Sequence, residues 1–332
     1  MTQTEIDLGA RLDVMEAVAR RAGALALRYF HARDQLQIET KRVLTDMVSQ
    51  ADREVEDLIR DALRTTFPED AFMGEEYGLE PGTSKLTWVV DPIDGTAPYL
   101  NGLPGWCVSI GLMDERGPLL GVICVPVLEE MFRGGRGQGA TLNGARLSVS
   151  QTTSLERSLL CSGFPYDLPT RADLVLGLFG RLAVKSRGMR RFGSAALDLA
   201  WLAAGRFDGY WEFGLKPWDV SAGALLVEEA GGRIACLDGA AWSPEFGDVV
   251  AAGPGVFDAL CSETSSFTRE RGFVPARWTT RATSNARRPC FSATSWPRPR
   301  RCCGRSFVAP TCGRMRRGSG WENSTQHEGI CG

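Results

Sequence analysis

Two aspartates, Asp91 and Asp94, follow an apolar segment at a spacing that suits a cation site. Residues 86–90 are typical of a buried strand, after which Pro92 fixes φ and Gly95 permits backbone angles closed to other residues. Such a stiff turn can aim both carboxylates at one point, where they repel unless a cation lies between them. Hard oxygen ligands favour Mg²⁺ or Mn²⁺ over zinc. An ordinary surface turn is the alternative, since Asp, Pro and Gly are common turn residues.

Two further aspartates stand where helices are predicted to begin. An amphipathic stripe over 55–63 predicts a helix that starts near Asp52, and Ser49 with Asp52 also fits a capping box. Asp219 precedes a predicted helix over 222–230 and fits its N-cap. Each aspartate therefore has a purely structural explanation beside a chemical one.

The scarcity of histidine narrows the chemistry. The chain has only His31 and His327, which nearly excludes a Ser-His-Asp triad or a His-rich zinc site. A set of acidic residues at predicted turns remains, with Thr96 beside it: Glu75, Glu76, Asp91, Asp94 and Asp219. This set suits displacement at phosphorus, in which bound cations activate water and stabilise the leaving oxygen.

The glycine-rich run at 134–139 suggests a dinucleotide-binding loop only at first sight. A Rossmann loop must open a helix, whereas Asn143-Gly144 follows here and favours a hairpin. No Walker A sequence occurs in the chain. The run is therefore predicted to lie in a sheet.

Charge divides the 332 residues into two parts of different character. Residues 266–332 hold 13 Arg, no Lys and 3 acidic residues, about +10, so residues 1–265 carry about −12. The acidic part is unpromising for nucleic acid. The Arg- and Cys-rich tail is typical of a disordered segment or of a coding sequence read out of frame, and a nucleic-acid-binding arm is the alternative. We expect no stable fold in it.

The N-terminal sequence and the cysteines indicate a cytoplasmic protein. Acidic residues Glu5, Asp7 and Glu16 replace the basic start of a signal peptide, and no apolar run approaches the length of a membrane span. Five cysteines lie in the first 265 residues without Cys-x-x-Cys spacing. We expect them to be reduced thiols in the core.

Three ordered motifs resemble the signatures of the inositol monophosphatase family, with most similarity to its bacterial inositol-1-monophosphatase branch. They are Gly74-Glu75-Glu76, the run from Trp88 to Thr96, and Trp218-Asp219-Val220 with Gly231-Gly232. The resemblance spans about residues 10–262. It implies an α/β fold, a layered α-β-α-β-α sandwich, with an N-terminal part at 1–150 and a second part at 151–265 that completes the active site. It also implies a homodimer with lithium-sensitive, Mg²⁺-dependent phosphatase activity.

The same resemblance assigns expected roles to individual residues. The implied Mg²⁺ ligands are Glu75, Asp91, the Ile93 carbonyl, Asp94 and Asp219. Thr96, assisted by Asp52, is expected to position and deprotonate the attacking water. The amides of Gly95 and Thr96 are expected to receive phosphate, with Lys41 and Glu76 in supporting positions around the metals. Substrate contacts are expected from Gly193, Ser194, Ala195 and Glu212.

The segment after the acidic turn leaves the substrate open. Ala97-Pro98-Tyr99 replaces the family's usual Thr-Asn-Phe, and residues 101–106 are somewhat similar to the related histidinol-phosphatases. We expect hydrolysis of a small phosphorylated polyol, foremost myo-inositol 1-phosphate, with histidinol phosphate as the alternative. A non-catalytic role is a further alternative, since some bacterial relatives bind transcription machinery. An aspartyl-phosphate phosphatase is disfavoured, because its signature has one residue between its two aspartates and this chain has two.

Overall fold

A computed structural model describes residues 7–36, 38–40 and 47–275. Seven α-helices lie in this part of the chain: α1 (Leu8–His31), α2 (Gln50–Thr66), α3 (Thr96–Leu100), α4 (Leu168–Ala183), α5 (Ala195–Ala203), α6 (Pro217–Glu229) and α7 (Pro254–Glu270).

The strands form two larger sheets and one small antiparallel pair. Their bounds are β1 (Ile38–Thr40), β2 (Met47–Ser49), β3 (Ala71–Gly74), β4 (Gly78–Glu80), β5 (Thr87–Asp94), β6 (Cys107–Asp114), β7 (Gly117–Val125), β8 (Glu130–Gly135), β9 (Gly139–Leu142), β10 (Ala145–Arg146), β11 (Leu159–Ser162), β12 (Gly188–Arg190), β13 (Gly209–Glu212), β14 (Arg233–Ala235) and β15 (Val249–Ala252). The eight-stranded sheet has the order β10-β9-β8-β7-β6-β5-β3-β4, and the five-stranded sheet has the order β12-β11-β13-β15-β14. The two larger sheets draw their strands from opposite sides of residue 150.

The helices and sheets alternate in five layers. Helices α1 and α2 pack on one face of the eight-stranded sheet, and α5 and α6 lie between the two sheets. Helices α4 and α7 cover the outer face of the five-stranded sheet. Three apolar clusters fill the spaces between these layers. The predicted α-β-α-β-α sandwich is therefore confirmed.

Helix α2 shows how the sequence specifies the layer that carries part of the site. Val55, Ile59 and Leu63 recur at helical spacing, and all three are fully buried against the sheet. Ser49 is the N-cap, and its backbone amide and hydroxyl both donate to the Asp52 carboxylate, at 2.8 and 2.7 Å. The predicted capping box is present, and it fixes the position of Asp52 at the first turn.

Helix α7 corrects the prediction for the beginning of the tail. The expected loss of stable structure from residue 266 is wrong for the segment to Glu270, because α7 continues through that boundary. Phe267 is buried in the outer core, where it extends the apolar face of the helix. The remainder of the predicted tail, 276–332, lies outside the described residues, as does Lys41.

Two other local predictions, for the glycine-rich run and for the cysteines, are confirmed. The glycine-rich run joins antiparallel strands β8 and β9 and opens no helix. The five cysteines of the first part are free thiols, four of them buried. Within the described ranges, no helix is long and apolar enough to cross a membrane.

Candidate metal centre

Strands β3 and β5 run parallel and end at the same edge of the sheet, where the acidic residues collect. The structure differs slightly from the prediction at β5, whose pairing with β6 continues past Asp91 to Asp94 through a shift of register. This irregularity turns the backbone so that both carboxylates lie at one edge. Gly95 then adopts a left-handed φ of 96° and leads into α3, which is the conformational freedom that the sequence predicted for it.

Asp219 reaches the same place from the layer between the sheets. One carboxylate oxygen from each of Asp91, Asp94 and Asp219 lies within 4.8 Å of the others. The expectation that Asp219 is the N-cap of its helix is wrong, since α6 begins at Pro217 and Asp219 is the third helical residue. Its carboxylate accepts a hydrogen bond of 2.6 Å from the backbone amide of Lys216, which fixes it at the first turn.

Neutral donors hold Asp94 in the cluster. The Ser194 hydroxyl donates to its Oδ2 at 2.7 Å, and the backbone amide of Ala196 donates to the same oxygen at 2.6 Å. Burial, together with the charge of Glu75, raises the pKa of Asp94 to about 6 in spite of these bonds. Burial, followed by the charges of Asp94 and Glu75, raises the pKa of Asp219 well above its usual range. A cation placed among these carboxylates would relieve the repulsion.

Thr96 and Asp52 form a second part of the site. The Thr96 hydroxyl lies 3.4 Å from Asp52 Oδ1 and 3.3 Å from the Ile93 carbonyl oxygen. Asp52 therefore caps its helix through one oxygen and meets Thr96 through the other. The structural and chemical explanations given for Asp52 are compatible, because its two oxygens have different partners.

The turn after β3 carries Glu75 and Glu76 to the same edge. The Glu75 amide donates to the Val90 carbonyl at 3.2 Å, next to Asp91. Glu75 is outside the group within 4.8 Å, although its charge acts on Asp94 and Asp219. On the other side of the turn, the buried Glu56 accepts the amide of Glu76 at 2.8 Å. The sequence reasoning missed Glu56, although its position one turn after Asp52 was a usable signal.

The expected substrate residues lie on two elements of the second part. Gly193 has a left-handed φ of 92° and precedes Ser194, the N-cap of α5. The Ser194 hydroxyl and the α5 N-terminus hold Asp94, so Ser194 supports the acidic cluster in addition to any substrate contact. Ala195, the first residue of α5, is buried.

Glu212 ends β13 and is 7% exposed. Tyr210 donates a hydrogen bond to its carboxylate. Burial raises the pKa of Glu212 to about 7, partly offset by that hydrogen bond. A Cβ on Gly163 would lie 2.1 Å from a carboxylate oxygen of Glu212, so the glycine makes room for the acid.

The donor set of this edge fits a hard divalent cation. Carboxylate oxygens of Asp91, Asp94 and Asp219 converge, and the carbonyl of Ile93 lies between the first two in the chain. All are oxygen ligands, as Mg²⁺ prefers. The fold and site thus define a layered α/β protein with an acidic cluster, able to hold a cation, at the ends of its central strands.

Comparison with known proteins gives this class a name. The model of the inositol monophosphatase family matches residues 7–269, and the chain belongs to that family. It is 41% identical over 254 residues to Nus factor SuhB of Pseudomonas aeruginosa, a match that covers 75% of this chain and 93% of that protein. It is also 38% identical over 250 residues to Nus factor SuhB of Escherichia coli strain K12, with coverage of 75% and 93%.

Solved structures show the same relationship. The extragenic suppressor protein suhB from Bartonella henselae superposes with a TM-score of 0.74 at 36% identity, covering 77% of this chain and 98% of the other. Inositol monophosphatase from Anabaena superposes with a TM-score of 0.71 at 37% identity, covering 78% and 97%. The relatives therefore include proteins named for a phosphatase and proteins named for a Nus factor.

Proposed function

We propose that this protein hydrolyses a small phosphomonoester with Mg²⁺, and that myo-inositol 1-phosphate is its preferred substrate. The convergence of Asp91, Asp94 and Asp219 within 4.8 Å carries the proposal. These three residues, with Glu75 and the carbonyl of Ile93, would hold the metal. When bound, Mg²⁺ would lower the pKa of a water molecule and neutralise charge on the phosphate.

The proton path rests on Thr96 and Asp52. The hydroxyl of Thr96 lies between the Asp52 carboxylate and the Ile93 carbonyl. In our proposal Thr96 orients the attacking water, and Asp52 accepts the proton that is released through the hydroxyl. The amides of Gly95 and Thr96 receive the phosphate, and Lys41 and Glu76 support the surroundings of the metals.

Glu212 supports a polyol as the rest of the substrate. An ionised carboxylate accepts hydrogen bonds from hydroxyl groups, and Tyr210 already fixes one oxygen of Glu212. Gly193, Ser194 and Ala195 line the approach between Glu212 and Asp94 in this proposal. Histidinol phosphate is the alternative substrate, because it carries an amine that the acidic surroundings would also favour.

A substrate panel tests the proposal. Phosphate release is measured for the full chain with myo-inositol 1-phosphate, histidinol phosphate, fructose 1,6-bisphosphate and phosphoadenosine phosphate, each with Mg²⁺ and with EDTA. We expect the highest kcat/KM for myo-inositol 1-phosphate and no turnover in EDTA. A higher kcat/KM for histidinol phosphate would replace the substrate, and no turnover on any of the four would contradict the enzymatic proposal.

The second candidate is a regulatory binding role without catalysis. The observation that favours it is the name Nus factor SuhB carried by relatives that are 41% and 38% identical to this chain. Pull-down of transcription proteins from lysate, compared between the wild type and Asp94→Asn, separates the two candidates. Equal capture by both proteins, together with no phosphatase activity in the wild type, would support the regulatory role.

A further inference from the structure

The carboxylate of Glu56 lies directly under the turn that carries Glu75. Glu56 stands four residues after Asp52 on α2, so both side chains occupy the same face of the helix. Glu56 is 0% exposed. Its Oε2 accepts the backbone amide of Glu76 at 2.8 Å, and its Oε1 accepts the amide of Tyr77 at 3.1 Å. Both carboxylate oxygens of a helix residue are thus used by one turn of the sheet.

Gly74 permits this close approach. A Cβ at position 74 would lie 2.0 Å from Oε1 of Glu56, closer than any real Cβ contact. Gly74 is absent from the glycines with positive φ, so its backbone does not require glycine. The requirement comes from the carboxylate beneath it. This explains in physical terms why glycine precedes the two acids in Gly74-Glu75-Glu76.

The turn is held from two directions. On the strand side, the amide of Glu75 donates to the carbonyl of Val90 at 3.2 Å. On the helix side, Glu56 accepts the next two amides. Hydrogen bonds from backbone amides to a carboxylate are stronger than those between neutral groups. The same helix positions Asp52 beside Thr96, so α2 links the proton acceptor and the Glu75 turn in one rigid element.

We propose that Glu56 is a positioning residue for the cation site, which holds the turn 75–77 so that Glu75 stays beside Asp91, Asp94 and Asp219. The inference rests on the proposed Mg²⁺ binding, but not on turnover of a particular substrate. Glu56 itself contacts backbone amides and is assigned no contact with metal or substrate.

Glu56→Gln is the direct test. The variant keeps the size of the side chain but has one acceptor oxygen in place of two. Its NH₂ group then faces a backbone N–H, so two donors oppose each other. We expect the Mg²⁺ dissociation constant, measured by isothermal titration calorimetry on the full chain, to rise about tenfold. We also expect kcat to fall at low Mg²⁺ concentration and to return to the wild-type value at high Mg²⁺ concentration. The substitution displaces the turn that carries Glu75 but removes none of the proposed metal ligands.

A matched control separates positioning from general stability. Asp70 is also buried and accepts hydrogen bonds, but it lies at the opposite end of β3. We expect Asp70→Asn to lower stability while its Mg²⁺ dissociation constant stays within twofold of the wild type. A folded Glu56→Gln protein with wild-type Mg²⁺ affinity, or an equal loss of affinity in Asp70→Asn, would overturn the inference.

Gly74→Ala provides a second route if Glu56→Gln does not fold. The added methyl group must displace the Glu56 carboxylate, so we expect a similar rise in the Mg²⁺ dissociation constant, and unchanged affinity in this variant would overturn the inference. A wild-type chain that binds no Mg²⁺ would overturn both the cation site and the inference. Mg²⁺ binding without phosphate release would contradict the proposed activity alone.

Discussion

Strands β3 and β5 have buried carboxylates at both ends, and the two ends treat their charge differently. At the amino end, Asp70 meets the guanidinium of Arg11 at 2.5 Å, the hydroxyl of Ser84 at 2.7 Å and the indole N–H of Trp88 at 3.0 Å. At the carboxyl end, Asp94 is held by a hydroxyl and a backbone amide. The amino end carries its own cation, whereas the donors that hold Asp94 are neutral.

The two ends separate buried acids that stabilise the fold from buried acids that are suited to bind a ligand. A buried carboxylate paired with a cation and satisfied by hydrogen bonds is a stable part of the structure. Carboxylates that converge on one another are destabilised by desolvation and by mutual repulsion, and both effects raise the pKa values of Asp94 and Asp219. Such an arrangement is consistent with a site that receives its positive charge from outside.

The largest expected effect is that of Asp94→Asn at the carboxyl end. The variant keeps an oxygen for the donors from Ser194 and Ala196 but removes the negative charge from the cluster. We expect phosphate release to fall on the order of 10³-fold. With one negative charge fewer, the cluster would hold Mg²⁺ less tightly, and the metal would stabilise less of the charge that develops on the phosphate in the transition state. Chemical denaturation in EDTA should show stability equal to or above that of the wild type. Retained activity, or a marked loss of stability, would break the contrast between the two ends.

The pH dependence of stability should come from the acids near the carboxyl end. The folded-state pKa of Glu212 is raised to about 7, above its usual value near 4.5, so the folded protein binds more protons than the unfolded protein between these values. Stability from this group is therefore present at low pH and is lost as pH rises from about 4.5 through 7. A shift of this size corresponds to a change on the order of 3 kcal/mol.

Glu212→Gln isolates this contribution. The unfolding free energy is measured in EDTA at pH 5 and pH 7.5 for the wild type and the variant. We expect the wild type to lose more stability than the variant across this interval, because glutamine does not titrate. Equal losses in both proteins would show that Glu212 keeps an ordinary pKa. Burial and repulsion would then destabilise the acids near the carboxyl end less than the comparison of the two ends predicts.

Much of the candidate site could be predicted from sequence because local patterns specify it. The apolar run before Asp91, the stiff turn through Pro92 and Gly95, and the resemblance of three motifs all act within short stretches of chain. The structure brings Asp91, Asp94 and Asp219 together as the sequence suggested. The layered fold followed from the same resemblance, supported by the helical stripe of α2.

The contacts missed by sequence reasoning join distant residues through packing. Glu56 lies beside apolar core positions of an amphipathic helix, and only the docking of α2 on the sheet brings it under the turn after Gly74. Ser194 was predicted only as a substrate contact, and the hydrogen bond from its hydroxyl to Asp94, 100 residues away in the chain, was missed. The end of α7 was misjudged because its last turn has the composition of the tail, while Phe267 packs in the core.

The smallest expected effect in activity, and a clear one in stability, is that of Asp70→Asn at the amino end. The Arg11 side chain is 17% exposed, so the substitution leaves a largely buried guanidinium without its charged partner. The single amide oxygen can replace only one carboxylate oxygen, either Oδ1, which accepts from Ser84, or Oδ2, which accepts from Arg11 and Trp88. We expect unfolding in urea to show a loss of about 2 kcal/mol, the value typical of a hydrogen bond to a charged group. Because Arg11 and Asp70 lie at the far end of the strands from the acidic cluster, kcat/KM should change by less than about twofold, a small difference in free energy. A loss of activity comparable with that of Asp94→Asn in a folded protein would show that the two ends are coupled through β3 and β5, and that Asp70 also supports the cation site.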